Sequence, residues 1–201
     1  MNDEKRHKPL SCRMAAAELV IQPPWGYSRV TASSPAVEVM TDLSLIGAGT
    51  VRPSATLNEA TQTMIARGVR LLLVTEKEDD RVLGLITARD TKGERPIRWI
   101  KERGGRYEDL QVRDLMIPRE SIEIIDIGDV LRAEVGDVVA TLKACGRQHA
   151  LVSEKDPESG ATRLRGIFSA TQISRQLGLP IQTFDVARTF ADIQAAIVRE
   201  Y

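Results

Sequence analysis

The sequence is short of the residues from which many sites are made. Its 201 residues contain two cysteines, Cys12 and Cys145, so neither a disulfide framework nor a paired CxxC zinc pattern is available. That usage suits a reducing compartment, and the cytoplasm is the expected one. Histidine is equally scarce. His7 and His149 are the only two, which makes a histidine metal site or a Ser-His-Asp triad hard to assemble. Neither sign of charge is in excess, with 28 basic against 28 acidic residues. A zero balance disfavours a general nucleic-acid binder while leaving room for a local basic pocket. No run of about 18 apolar residues exists, so no membrane-spanning helix is expected. The apolar stretch at 14–21 is short, contains Glu18 and runs into Pro23-Pro24, which does not make a signal peptide.

What is present has the balance of a globular protein, 42% hydrophobic and 28% charged. The length suffices for one compact domain or two small ones sharing a core. Residues 1–34 are polar, then Pro-rich, then Ser-rich. They read as an N-terminal extension, either a plain disordered leader or one carrying a short helix around 14–20.

From Val37 onward the chain repeats itself. The first unit opens on Val37-Glu38-Val39-Met40 and continues to Thr50-Val51-Arg52-Pro53. Thr56 and Glu59 then make a capping box. Leu57, Ala60, Met64 and Ile65 form the apolar stripe of a helix, and Gly68 is placed to end it. Leu71-Leu72-Leu73-Val74 suits a buried strand. After the acidic turn Glu78-Asp79-Asp80, Val82-Leu83-Gly84-Leu85-Ile86 reads as a second strand running into a helix start at Thr87-Ala88-Arg89-Asp90. The second unit keeps that order: Val112-Arg113-Asp114-Leu115-Met116, a helix from Val135 carrying Val138, Val139 and Leu142 and stopping at Gly146, the strand His149-Ala150-Leu151-Val152, and Leu164-Arg165-Gly166-Ile167-Phe168-Ser169. A two-fold internal duplication follows.

Each unit of about 60 residues offers a small sheet and two helices and buries too little surface alone. The expected fold is therefore α/β (α+β): two βαββα repeats packed sheet to sheet with pseudo-two-fold symmetry and a cleft between them. The expected domains are an extension at 1–34, repeat 1 at 35–93, an inter-repeat helix and linker at 94–110, repeat 2 at 111–178, and a helical tail at 179–201. The linker helix should turn Ile97, Ile100 and Trp99 inward and end at Gly104-Gly105. The tail carries Val186, Phe190, Ile193 and Ile197 on one face, for packing on its own module or for a dimer or partner contact.

The stretch Gly84-Leu85-Ile86-Thr87-Ala88-Arg89-Asp90 carries the most chemistry. Free backbone N–H groups and the positive end of the dipole favour an anion at a helix start. Thr87 can donate to a phosphate, and Asp90 can accept from a ribose diol. Thr-x-x-Asp is equally a plain capping arrangement.

The repeated order Val-Met, Thr-Val-x-Pro, helix, Gly, apolar strand and Gly-Leu-Ile-Thr-x-x-Asp resembles the cystathionine β-synthase (CBS) domain, which occurs in tandem pairs called Bateman modules. The resemblance covers roughly residues 36–178. It implies a regulatory pair without catalysis or a required cofactor. The ligand would be an adenine nucleotide, meaning AMP, ADP, ATP, S-adenosylmethionine or a relative. Some members bind none and only dimerise. By this resemblance Thr87 is the phosphate contact, Asp90 the ribose contact and Arg70 a phosphate-binding cation. Gln148, with its neighbours Arg147 and His149, faces the adenosine from the second repeat; the alternative for Arg70 and Arg147 is a solvated charge, and for His149 a satisfied histidine at the edge of the core. The second repeat departs at Ser169 and Gln172, where an amide replaces the acid, which implies a weaker second site with Thr50, Val51 and Arg70 as its partners.

No paired constellation of acids and bases appears, and Cys145 falls at a helix end where the dipole disfavours a thiolate. The basic residues Arg89, Lys92, Arg95, Arg98, Lys101, Arg103 and Arg106 are interleaved with acids, as on a solvated helix face. Output is therefore expected through a homodimer or an unidentified target protein, and nucleic acid and membrane are not expected partners.

Overall fold

The computed structural model describes residues 30–76, 81–178 and 181. The short helix expected at 14–20, the acidic turn at 78–80 and the tail's apolar face lie outside the described residues.

The elements run in the expected order. Repeat 1 supplies β1 (Thr41–Asp42), β2 (Thr50–Val51), α1 (Leu57–Arg67), β3 (Leu71–Thr75), β4 (Val82–Thr87) and α2 (Ala88–Lys92). The helix α3 (Glu94–Arg103) connects to repeat 2, which supplies α4 (Val112–Leu115), β5 (Ile117–Pro118), β6 (Ile124–Asp126), α5 (Ile127–Val130), α6 (Val135–Ala144), β7 (His149–Lys155), β8 (Thr162–Ser169) and α7 (Ala170–Leu177). The capping box of α1 forms as its spacing predicts: the Glu59 N–H donates to the Thr56 hydroxyl at 3.2 Å, and the Thr56 N–H donates back to Glu59 at 2.7 Å. Gly68 ends that helix in the left-handed region at φ 64°, where a Cβ would be strained.

Two four-stranded sheets result, ordered β2-β3-β4-β5 and β1-β8-β7-β6. Strand alternation assigns each face. Leu71 and Leu73 join Leu85 and Leu151 in the layer between the sheets, while Leu72, Val74 and Ile86 turn outward onto Leu57, Ala60 and Met64. Val152 and Phe168 pack likewise on Val135, Val138 and Leu142. Each fully buried side chain of this size contributes about 1.5–3 kcal/mol.

The sheets are not private to their repeats. Strand β1 pairs with β8, and β5 pairs with β4, so each half lends its opening strand to the other. The segments before these strands are exchanged as well. Ala36, Val39 and Met40 are buried in the core of repeat 2, and Val112 and Leu115 in the core of repeat 1. Matching backbone bonds fasten them: Val112 N–H to Ala55 O at 2.8 Å, and Ala36 N–H to Ala133 O at 2.9 Å. The exchange reaches back into residues 30–34. Val30 is buried, and Ala32 O and Ser34 O accept from Gly136 and Val135.

The exchange explains the two matched glycines. A Cβ on Gly84 would strike the backbone oxygen of Ile117, and one on Gly166 would strike the Met40 side chain. Glycine gives room where the partner repeat's opening segment crosses, against backbone at Gly84 and against a side chain at Gly166.

Two apolar residues depart from the expected faces. Ile65 is 64% exposed and Ile97 is 69% exposed. In α1 the buried set is Leu57, Ala60 and Met64, and Ile65 lies one residue round the helix from it. In α3 the inward residues are Pro96, Trp99 and Ile100, spaced i, i+3, i+4, which turns Ile97 out. The helix ends at Gly104 (φ 79°), as expected. No helix among the described residues is long and apolar enough to cross a membrane.

Candidate functional site

Two clefts related by the pseudo-two-fold lie where a final strand of one repeat meets the other repeat. The first, of about 170 Å³, lies at the β4–α2 junction. Repeat 1 gives it Thr87, Arg89 and Asp90, and repeat 2 gives Ile122, Glu123, Arg147, Gln148 and His149. The local sequence dictates this junction. Asp90 Oδ2 accepts the Thr87 backbone N–H at 2.9 Å and the Thr87 hydroxyl at 2.7 Å, closing the first turn of α2. Asp90 is buried, and its other oxygen receives the Arg95 guanidinium, so both carboxylate oxygens have partners within the chain. A buried carboxylate without such partners would be strongly destabilising.

On the opposite wall Arg147 pairs with Glu123 at 3.3 Å, an exposed bridge of small energetic weight. His149 begins β7 opposite Ser169 in β8. Burial, reinforced by the nearby Arg70 charge, lowers its pKa to about 4. At neutral pH its imidazole is therefore uncharged, with one donor and one acceptor nitrogen.

The second cleft, of about 510 Å³, lies at the β8–α7 junction and includes Ser169, Gln172, Arg175 and Gln176. Gln172 accepts a hydrogen bond from the Thr41 hydroxyl at 3.2 Å. Gln176 is buried in the wall of this cleft.

Five of the residues marked in the sequence thus share the first cleft: Thr87, Asp90, Arg147, Gln148 and His149. Arg70 lies in the second, with Ser169 and Gln172. His149 borders both. Thr50 lines a third, central cleft, and Val51 packs against the repeat 1 core. Sequence reasoning passed over Ile122 in the first cleft, and the Gly47-Ala48-Gly49 run and Arg175 in the second. The small residues of that run were the available signal, since they leave room beside the backbone. Among the described residues no group of three His, Cys, Asp or Glu side chains could hold a metal ion.

The molecule is therefore a paired α+β module with two interface clefts, each built from one repeat's strand–helix junction and the other repeat's opposing loops. Residues 36–92 match the family model of the CBS domain, so that segment is a CBS domain, and the second half repeats its order of elements. An uncharacterized conserved protein from Pyrococcus horikoshii has a similar structure, at 22% identity and a TM-score of 0.50 over 72% of this chain and 92% of that one. The CBS-domain protein ATU1752 from Agrobacterium tumefaciens is similar at 21% identity and a TM-score of 0.47, covering 66% of this chain and 92% of that one. CBSX2, solved in complex with AMP, is similar at 18% identity and a TM-score of 0.47, covering 71% and 94%. No curated protein matches the chain in sequence.

Proposed function

We propose that the chain is a non-catalytic regulatory module that binds an adenine nucleotide in the cleft between its repeats. One observation carries this: a single cleft joins Thr87 and Asp90 from repeat 1 to Arg147, Gln148 and His149 from repeat 2. A ligand there touches both repeats, so its affinity depends on their relative arrangement, which is the condition for a signal. The ribose diol meets Asp90, the phosphate meets Thr87 and the start of α2, and the adenosine rests against the second repeat. Arg70 and the residues Ser169 and Gln172 hold the weaker second site. The output passes through a homodimer or a target protein in the cytoplasm, with no cofactor required.

The satisfied state of Asp90 favours a second reading, a ligand-free dimerisation module. Both its oxygens are used within the chain, so ribose hydroxyls must share or displace these bonds. Calorimetry with AMP, the ligand of the CBSX2 complex, separates the two, followed by ADP, ATP and S-adenosylmethionine. The proposal expects saturable binding that Asp90→Ala weakens at least about tenfold, the worth of one charge-assisted hydrogen bond. Absence of binding by the unaltered protein leaves the dimerisation reading, and equal binding by a folded Asp90→Ala removes the ribose role.

A further inference from the structure

The largest opening between the sheets is neither of these clefts. A third cleft of about 940 Å³ lies at the opposite ends of β3 and β7. Matched positions of the two repeats build it: Leu73 with Leu151, Thr75 with Ser153, and Val82 with Leu164. It therefore straddles the pseudo-two-fold axis.

Three features give it a chemical character. First, its floor is apolar and continuous with the layer between the sheets, through Leu73 and Leu151. Second, the ladder shifts register at Val74/Thr75 and at the equivalent Val152/Ser153. Such irregularities re-aim a side chain, and here each precedes a hydroxyl residue on the cleft wall. Ser153 is buried, one of only four buried polar or charged residues among those described. Third, Arg81 and Arg163 line the cleft and stand 82 positions apart, the spacing that separates Gly84 from Gly166. Arg119 adds a third guanidinium, and no acidic residue is among the described lining. Arg163 also bonds Asp156 at 2.7 Å, which leaves most of its five donors for other acceptors. The repeats have diverged from Asp90 to Gln172 in the other clefts but keep an arginine in this one.

We infer that this axial cleft is a separate binding site for a small organic anion, a phosphate or carboxylate head on an apolar body. The head takes the guanidinium forks and the Thr75 and Ser153 hydroxyls, and the body covers the leucine floor. Nothing in this depends on nucleotide binding elsewhere.

The test uses the full chain labelled with nitrogen-15, titrated with phenyl phosphate and separately with benzoate. Amide shifts are read at Thr75, Ser153 and Leu164, which line neither of the other clefts. Saturable shifts with either compound are expected, and the tighter one identifies the head. Arg81→Gln combined with Arg163→Gln should weaken binding at least about tenfold. Should that variant not fold, Thr75→Val with Ser153→Ala should weaken it several-fold. No saturable shifts at these residues with either probe, unchanged affinity in a folded variant, or equal affinity for inorganic phosphate alone would overturn the site as described.

Discussion

Asp90 holds Thr87 twice, accepting its backbone N–H at 2.9 Å and its hydroxyl at 2.7 Å through the same oxygen. The pair that is proposed to hold a nucleotide is thus also the cap of α2. Thr87→Ala should cost about 1 kcal/mol of stability, the usual worth of a lost cap. Asp90→Ala should cost more, because it removes the acceptor of both Thr87 donors together with the partner of Arg95. Chemical denaturation of the two variants, compared with their AMP affinities, separates the structural role from the binding role.

The two matched glycines should not tolerate alanine equally. At Gly84 the added methyl meets a backbone oxygen, which cannot move aside. At Gly166 it meets a methionine side chain, which can change rotamer. Gly84→Ala should lose about 1–3 kcal/mol, and Gly166→Ala clearly less, in paired denaturation curves.

His149 should make stability depend on pH. Its pKa is about 4 in the folded protein against an ordinary 6.5, so the unfolded chain takes up the proton first. Stability is complete above pH 6.5 and falls as the pH drops toward 4, with a slope of at most about 1.4 kcal/mol per unit. His149→Gln should flatten the curve between pH 6.5 and 5, a window above the ordinary carboxylate range. An unchanged slope there would assign the effect elsewhere.

Neither half should fold alone. A fragment of residues 30–105 keeps Ala36, Val39 and Met40 without the core that buries them and loses Val112 and Leu115 from its own. It should show no cooperative melt by circular dichroism, and mixing with residues 106–181 should restore one.

The duplication, both helix caps and the matched glycines were legible because each leaves a local mark: a Thr-x-x-Glu spacing, a glycine after an apolar stripe, a pattern met twice. The exchange of β1 and β5 was not. A two-residue strand such as Thr41–Asp42 has no periodicity to read, and its partner in β8 lies more than 120 residues away in sequence. The same limit governed Arg70. Its nearness to a cleft followed from the start of β3, but which of two symmetry-related clefts it enters depends on how the sheets stack. Ile65 and Ile97 failed for a smaller reason, since one residue is a 100° rotation and shifts a side chain from core to solvent.

His149 and Leu71 border the first and second clefts together, so the two share a wall one side chain thick. Were ligands to occupy both compartments, each would meet the same imidazole. An imidazole turned toward one presents less of itself to the other, and the first guest thereby sets terms for the second. Whatever that influence amounts to, thermodynamic reciprocity makes it identical in both directions. One histidine would then be the point at which two occupied compartments bear on each other.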